Sequence, residues 1–139
     1  MNFQEVRVGD ALPRREFGPL TIVDTVRWAG FQENAERTHW DREFVRAENG
    51  LRTFIASGAY RQALLARAIT DWIGPRGRLR KMSVRHTAPT FEGDLMIYAG
   101  EVTEKSLDPA DPWVACTLSG TNQTGEQILT GTCMVLLPA

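Results

Sequence analysis

From Leu79 onward, apolar and polar positions alternate with a period of two, the pattern of half-buried strands. Met82, Val84, His86 and Ala88 fall on one face of the first such segment. Glu92-Gly93-Asp94 reads as a turn, after which Leu95, Ile97 and Ala99 alternate with Met96 and Tyr98. Asp108-Pro109-Ala110-Asp111-Pro112 reads as a loop, and Val114, Cys116 and Leu118 mark a third strand. Asn122 to Glu126 reads as a hairpin turn into a last strand carrying Leu129, Gly131, Cys133 and Val135. Upstream, the period is helical. Leu64, Leu65, Ala68, Ile69 and Trp72 recur at three- and four-residue steps, which predicts a helix from about Gly58 to Trp72 that Gly74-Pro75 ends. A shorter helix starts near Asp41, turns Phe44 and Val45 inward, and closes at Asn49-Gly50. Before it, Leu20-Thr21-Ile22-Val23 reads as a short strand, with Asp24 as the N-cap of a helix carrying Val26, Ala29 and Gly30. The residues before about Phe17 read as an irregular lead-in.

Strands joined by tight turns imply an antiparallel sheet. The long apolar helix needs a cover, and the sheet is the large surface available. The order therefore predicts an α+β hot-dog domain over residues 1–139, an antiparallel sheet wrapped around a long central helix. An open sheet edge and a half-covered face call for a second subunit, so a homodimer or higher hot-dog oligomer is expected.

Composition changes this picture little. Of 139 residues, 42% are apolar and 24% charged, which is ordinary for a globular protein. A net charge of −1 gives no electrostatic reason for a nucleic-acid or membrane-surface partner. No segment approaches the ~20 apolar residues of a membrane span, and the N-terminus lacks a secretory pattern. A cytoplasmic protein is the expectation. Cys116 and Cys133 form neither a Cys-x-x-Cys unit nor a disulfide framework, and read as small buried hydrophobes facing each other across the last hairpin.

The chain has two histidines. His39 lies in the polar loop Asn34-Ala35-Glu36-Arg37-Thr38-His39-Trp40-Asp41, and imidazole suits proton transfer near neutrality. It also reads as a surface or helix-capping histidine. His86, in mid-strand beside Arg85, reads as a residue lining the sheet. Their separation, with no paired cysteine, lacks the spacing of a zinc site, so no metal and no cofactor is expected. Gly58 opens the long helix, where free N–H groups gather and a developing negative charge can be held.

These segments resemble the MaoC-like hydratases and dehydratases over roughly Val8 to Val102. That family carries Asp-x-Asn-Pro-Ile/Leu-His, then Ile-Ala-His-Gly at the start of the central helix. The matching residues are Asn34-Ala35-Glu36-Arg37-Thr38-His39 and Ile55-Ala56-Ser57-Gly58. Arg85, Pro89 and Gly93-Asp94 match a third feature. Asn34-x-x-Arg37-Thr38-His39-Trp40-Asp41 is similar to mesaconyl-CoA-type hydratases. Thr70-Asp71-Trp72-Ile73-Gly74-Pro75 is similar to small MaoC-like subunits of steroid side-chain hydratases.

The resemblance implies reversible hydration of an α,β-unsaturated acyl thioester, carried on coenzyme A or an acyl carrier protein. It implies His39, Asn34 and Gly58 as catalytic residues and Ser57, Arg37, Glu36, Trp40 and Tyr60 as substrate-binding residues. The sequence departs from the family at the catalytic Asp, which is Asn34 here and accepts no proton. His39 is then expected to carry the proton traffic, unless Glu33 or Glu36 points at it. The same departure allows a subunit that assists a second MaoC-like chain. A hot-dog thioesterase ranks below both, because the long helix offers no acid before Asp71.

Overall fold

The computed structural model describes residues 1–108 and 110–138, so Pro109 of the expected loop lies outside the described residues. A five-stranded antiparallel sheet runs in the order β1-β3-β4-β5-β2, built from β1 (Arg15–Phe17), β2 (Arg78–His86), β3 (Met96–Lys105), β4 (Trp113–Thr121) and β5 (Gln127–Leu136). Three helices precede or interrupt it: α1 (Ile22–Phe31), α2 (Arg42–Glu48) and α3 (Gly58–Ile73). Alternating burial along β3, β4 and β5 places Met96, Tyr98, Val102, Val114, Cys116, Leu118, Cys133 and Val135 in the core. They meet Leu65, Ile69 and Ile73 of α3, the inward positions of its helical repeat. This is the α+β hot-dog architecture, a sheet curled on a central helix.

Register fixes the long helix relative to the strands. The Tyr98 hydroxyl donates to the Arg61 carbonyl across 3.0 Å, joining β3 to α3. Cys116 stands opposite Cys133 in the β4–β5 ladder, and both are free and buried. β2 pairs with β5 on one side, and its other edge is a sheet edge. The outward-pointing donors and acceptors of alternate residues along this nine-residue strand are therefore open to a second chain.

The N-terminal quarter corrects the sequence reading. Leu20 to Val23 is no strand: Thr21 caps α1, which begins at Ile22. Asp24 is the third helical residue of a capping box, its carboxylate accepting from the Thr21 N–H at 2.9 Å. The box satisfies two donors, the Thr21 and Asp24 N–H groups, and outweighs the β preference of Ile22 and Val23. The first strand falls earlier, in the segment read as irregular, where Arg15–Phe17 pairs with Tyr98, Ile97 and Met96. On α1 the inward residue is Thr25, 4% exposed, whereas Val26 is 50% exposed. Among the described residues, no helix is long and apolar enough to cross a membrane.

Candidate active site

The segment Ile55 to Ser57 is clamped before it enters α3. The Ile55 N–H donates to the Thr38 carbonyl at 3.3 Å and the Ala56 N–H to the Thr90 carbonyl at 2.9 Å. Ser57 caps α3, its hydroxyl accepting from the Tyr60 N–H at 3.1 Å. The N–H of Gly58, first in the helix, has no acceptor among the described residues.

Both histidines converge on this segment. His39 ends a 3-10 turn, Arg37–His39, and its Nδ1 lies 2.9 Å from the Ile55 carbonyl oxygen. A carbonyl oxygen only accepts, so in the neutral ring Nδ1 carries the proton and Nε2 presents a lone pair. His86, the last residue of β2, lays its ring on Gly58: a Cβ there would stand 3.0 Å from His86 Nε2. Burial, and then the Arg61 cation, push the His86 pKa below the ordinary imidazole value. Arg61 is 5% exposed and donates to the Ala88 and Ile128 carbonyls and the Thr90 hydroxyl.

Around His39 the polar loop is tightly organised. Glu33 takes a positive φ of 53°, and Asn34 Oδ1 accepts from the Glu36 N–H at 3.1 Å, an Asx turn. That turn brings Glu36 Oε2 to 3.8 Å from His39 Nε2. The Glu36 side chain is 59% exposed and the His39 side chain 18%. Arg37 points the other way: its Nε and Nη2 donate to Asp41 Oδ2 at 3.0 and 2.8 Å, and its guanidinium covers Phe44. Asp41 also caps α2, and these donors hold its carboxyl below the usual range, the Phe44 N–H foremost.

His39 and Asn34 line a small cavity of about 10 Å³, room for about one water. Its other walls are Thr25, Trp28, Ala29 and Gln32 from α1 and its end, and Ser57 and Tyr60 from the start of α3. Trp28 and Tyr60 pack ring on ring at 5.6 Å. Burial, and then the Asp24 carboxylate, raise the Tyr60 pKa, so its hydroxyl stays protonated. Trp40 and Glu33 line an adjoining apolar groove that shares Ala29 and Asn34 with the cavity. Of the residues named from sequence, His39, Asn34, Ser57 and Tyr60 thus share the cavity, Gly58 sits between the last two, and Glu36 adjoins His39. Trp40 belongs to the groove, and Arg37 to the α2 cap. Trp28 lines the cavity, and His86 enters as a neighbour of the site. The period-two pattern already put His86 on the inward face of β2, but nothing in it named Gly58 as the neighbour. Among the described residues, no group of three or more His, Cys, Asp or Glu is placed to hold a metal ion.

Fold and cavity together define an α+β hot-dog protein with a histidine site at the start of its central helix. No family model matches the chain. It is 27% identical over 124 residues to the 3-oxo-4,17-pregnadiene-20-carboxyl-CoA hydratase beta subunit of Mycobacterium tuberculosis, covering 87% of this chain and 89% of that one. Its fold matches the unliganded R-hydratase PhaJ1 from Pseudomonas aeruginosa with a TM-score of 0.87 and 25% identity, over 99% of this chain and 85% of that one. A MaoC-like dehydratase matches with a TM-score of 0.86 and 29% identity, over 99% of this chain and 42% of that one. The ChsH1-ChsH2 complex from Mycobacterium tuberculosis matches with a TM-score of 0.82 and 24% identity, over 94% of this chain and 98% of that one. The structural neighbours are thus MaoC-like dehydratases and R-hydratases, in line with the resemblance seen in the sequence.

Proposed function

We propose that the chain is a hydro-lyase that adds water reversibly to an α,β-unsaturated acyl thioester, with His39 and Glu36 as its proton-transfer pair. One observation carries this reading. The Ile55 carbonyl fixes the His39 tautomer, leaving Nε2 free beside a carboxylate 3.8 Å away. Nε2 removes a proton from water as the water oxygen bonds to the β-carbon. The electron pair of the double bond moves onto the thioester oxygen, where the Gly58 N–H meets the enolate. A proton then reaches the α-carbon through the pair, which restores both groups. Asn34 keeps its amide NH₂ free to orient the water, because its oxygen is engaged by Glu36. Steady-state hydration of crotonyl-CoA, followed by loss of the enoyl absorbance, tests the reading. Turnover in the unaltered protein and its collapse in His39→Ala are expected. Full activity in that variant overturns it.

A second reading is supported by the hydratase beta subunit and the ChsH1-ChsH2 complex among the similar proteins. In it the chain works beside a second MaoC-like subunit, seated along the open edge of β2. Sedimentation of the purified protein separates the two. An active homodimer favours the first reading, and an inactive chain that gains activity only with a partner favours the second.

A further inference from the structure

The cavity that His39 and Asn34 line has room for about one water, the nucleophile of a hydration, and none for an acyl tail. The groove beside it is of another size. Helix α1 supplies Val26, Ala29 and Gly30 to it, and the loop that carries His39 supplies Asn34, Ala35 and Trp40. Its volume of about 500 Å³ falls within the ~300–1,000 Å³ of small-molecule sites. Nearly all of its exposed lining is apolar. Ala29 and Asn34 border both spaces, so groove and cavity are neighbours around α1.

Helix α1 turns apolar residues outward here. Thr25 is the residue it buries, while Val23 and Val26 are 51% and 50% exposed. Val23, Val26 and Gly30 recur at three- and four-residue steps and so share one stripe of the helix. The stripe contributes nothing to the core, and an exposed apolar patch of this kind marks a surface that a ligand or partner covers. Its continuation into the groove beside His39 assigns it to the substrate. Gly30 leaves the groove open: a Cβ there would meet nothing within 4 Å. Charge narrows the occupant further. Among the described residues, no Lys or Arg lines the groove and Glu33 does, so an acidic tail would meet repulsion and no counter-ion. The same carboxylate disfavours the phosphates of the carrier.

We propose that the groove between α1 and Trp40 receives an apolar acyl tail that extends past the β-carbon and covers Val26 and Gly30. The proposal rests on the acyl-thioester reading above and names its substrate class: medium-length or bulky apolar tails, in preference to short or acidic ones. Gly30 then sets the room for the tail, since a side chain there would occupy space that is now open.

Saturated coenzyme A thioesters undergo no hydration, so calorimetric titration of the full chain reads the tail alone. Butyryl-CoA, octanoyl-CoA and suberyl-CoA are the probes. An open groove covers about half of each methylene, worth about a twofold gain apiece, so octanoyl-CoA should bind on the order of tenfold more tightly than butyryl-CoA. Suberyl-CoA, equally long but ending in a carboxylate, should bind less tightly than octanoyl-CoA. Gly30→Leu should fill the groove and bring octanoyl-CoA to within about twofold of butyryl-CoA. Leucine favours a helix more than glycine does, and circular dichroism verifies the fold. Val26→Asn, at an exposed position, should also reduce the gain and serves if Gly30→Leu fails to fold. Equal affinity for octanoyl-CoA and butyryl-CoA in the unaltered protein overturns the proposal. So does tightest binding of suberyl-CoA. A gain that survives undiminished in the folded variant puts the tail elsewhere and overturns it as well; a changed sedimentation coefficient in that case gives the groove to a second subunit. Crotonyl-CoA turnover of the unaltered protein is read separately. A chain-length gain without turnover leaves the groove assigned and removes the hydratase reading, whereas turnover without the gain does the reverse. No binding by any thioester overturns both.

Discussion

Replacing Glu36 by Gln separates two roles for the carboxylate beside His39. The substitution keeps size and the Asx turn, because that turn uses the Glu36 backbone N–H. If Glu36 only stabilises the imidazolium by its charge, the effect is small. At 3.8 Å, with the glutamate 59% exposed, Coulomb attraction near the aqueous limit is about 1 kcal/mol. That corresponds to roughly a fivefold loss of turnover. If Glu36 carries a proton in the transition state, the loss is the ~10²- to 10⁴-fold of general acid–base catalysis. The proposed pair predicts the larger loss. It also predicts that Glu36→Gln with His39→Ala is scarcely worse than either alone, because residues acting as a unit are non-additive. Initial rates of crotonyl-CoA hydration, with circular dichroism to verify folding, supply the measurement. A fivefold loss in Glu36→Gln beside a dead His39→Ala would refute the pair and return the proton traffic to His39 alone. Asn34→Asp in the Glu36→Gln background should recover part of the rate, since it restores a carboxylate where the resembled family keeps one.

Other consequences are open to simple measurements. Arg42 donates to Glu92 from Nε at 2.9 Å, Thr53 donates at 2.8 Å, and the Glu92 carboxyl falls from 4.5 to about 2. A depressed carboxylate pKa contributes stability above its unfolded value that is lost as pH falls through the folded one. Glu92→Gln should therefore cost about 1 kcal/mol at pH 7, discounted because the side chain is 31% exposed, with the difference vanishing towards pH 2 in denaturant titrations. Gly58→Ala places a methyl 3.0 Å from His86 Nε2, so it should lower turnover in the unaltered His86 background and recover in part with His86→Ala. Unchanged kinetics would show that the ring moves freely. Leu65→Ala should cost about 2–5 kcal/mol in thermal or denaturant unfolding, as the residue is 1% exposed in the core. Equilibrium sedimentation should find a dimer or larger assembly, since β2 leaves a nine-residue edge open; a stable monomer would contradict this.

The sheet was legible because its pattern is local. Period-two alternation and turn residues located β2 to β5 and their starts within about two residues, while β3 and β4 run on past the alternation to Lys105 and Thr121. β1 was not legible: Arg15-Glu16-Phe17 has no alternation, and its pairing depends on β3, some eighty residues on. The start of α1 was misread although its cue was present. Thr21 and Asp24 form the Ser/Thr-x-x-acid pattern of a capping box, but Ile22 and Val23 suggested a strand. The polar loop could be marked as a site, and the cavity does gather His39 and Asn34. The direction of Glu36 could not be read, because it depends on a positive φ at Glu33 and one backbone hydrogen bond. The proximity of His86 to Gly58 required the three-dimensional packing of β2 on α3.

Asparagine at position 34, where the resembled family carries aspartate, acquires a different meaning in this geometry. An amide there cannot remove a proton, which taken alone points to a weakened site. Yet the Asn34 side chain organises the loop: its oxygen accepts the Glu36 N–H and holds the turn that aims Glu36 at His39. In the proposed pair the carboxylate stands two residues further along the chain, and Asn34 supports its loop. The shift also lengthens the reach of the acid, since glutamate has one more methylene than aspartate. It leaves the carboxylate more than half exposed, in contact with water and able to exchange protons with it. His39 is anchored through Nδ1 to Ile55. An imidazole anchored at Nδ1 and an exposed carboxylate beside its Nε2 are compatible with two-group proton transfer, so the altered motif does not by itself argue for an inert chain.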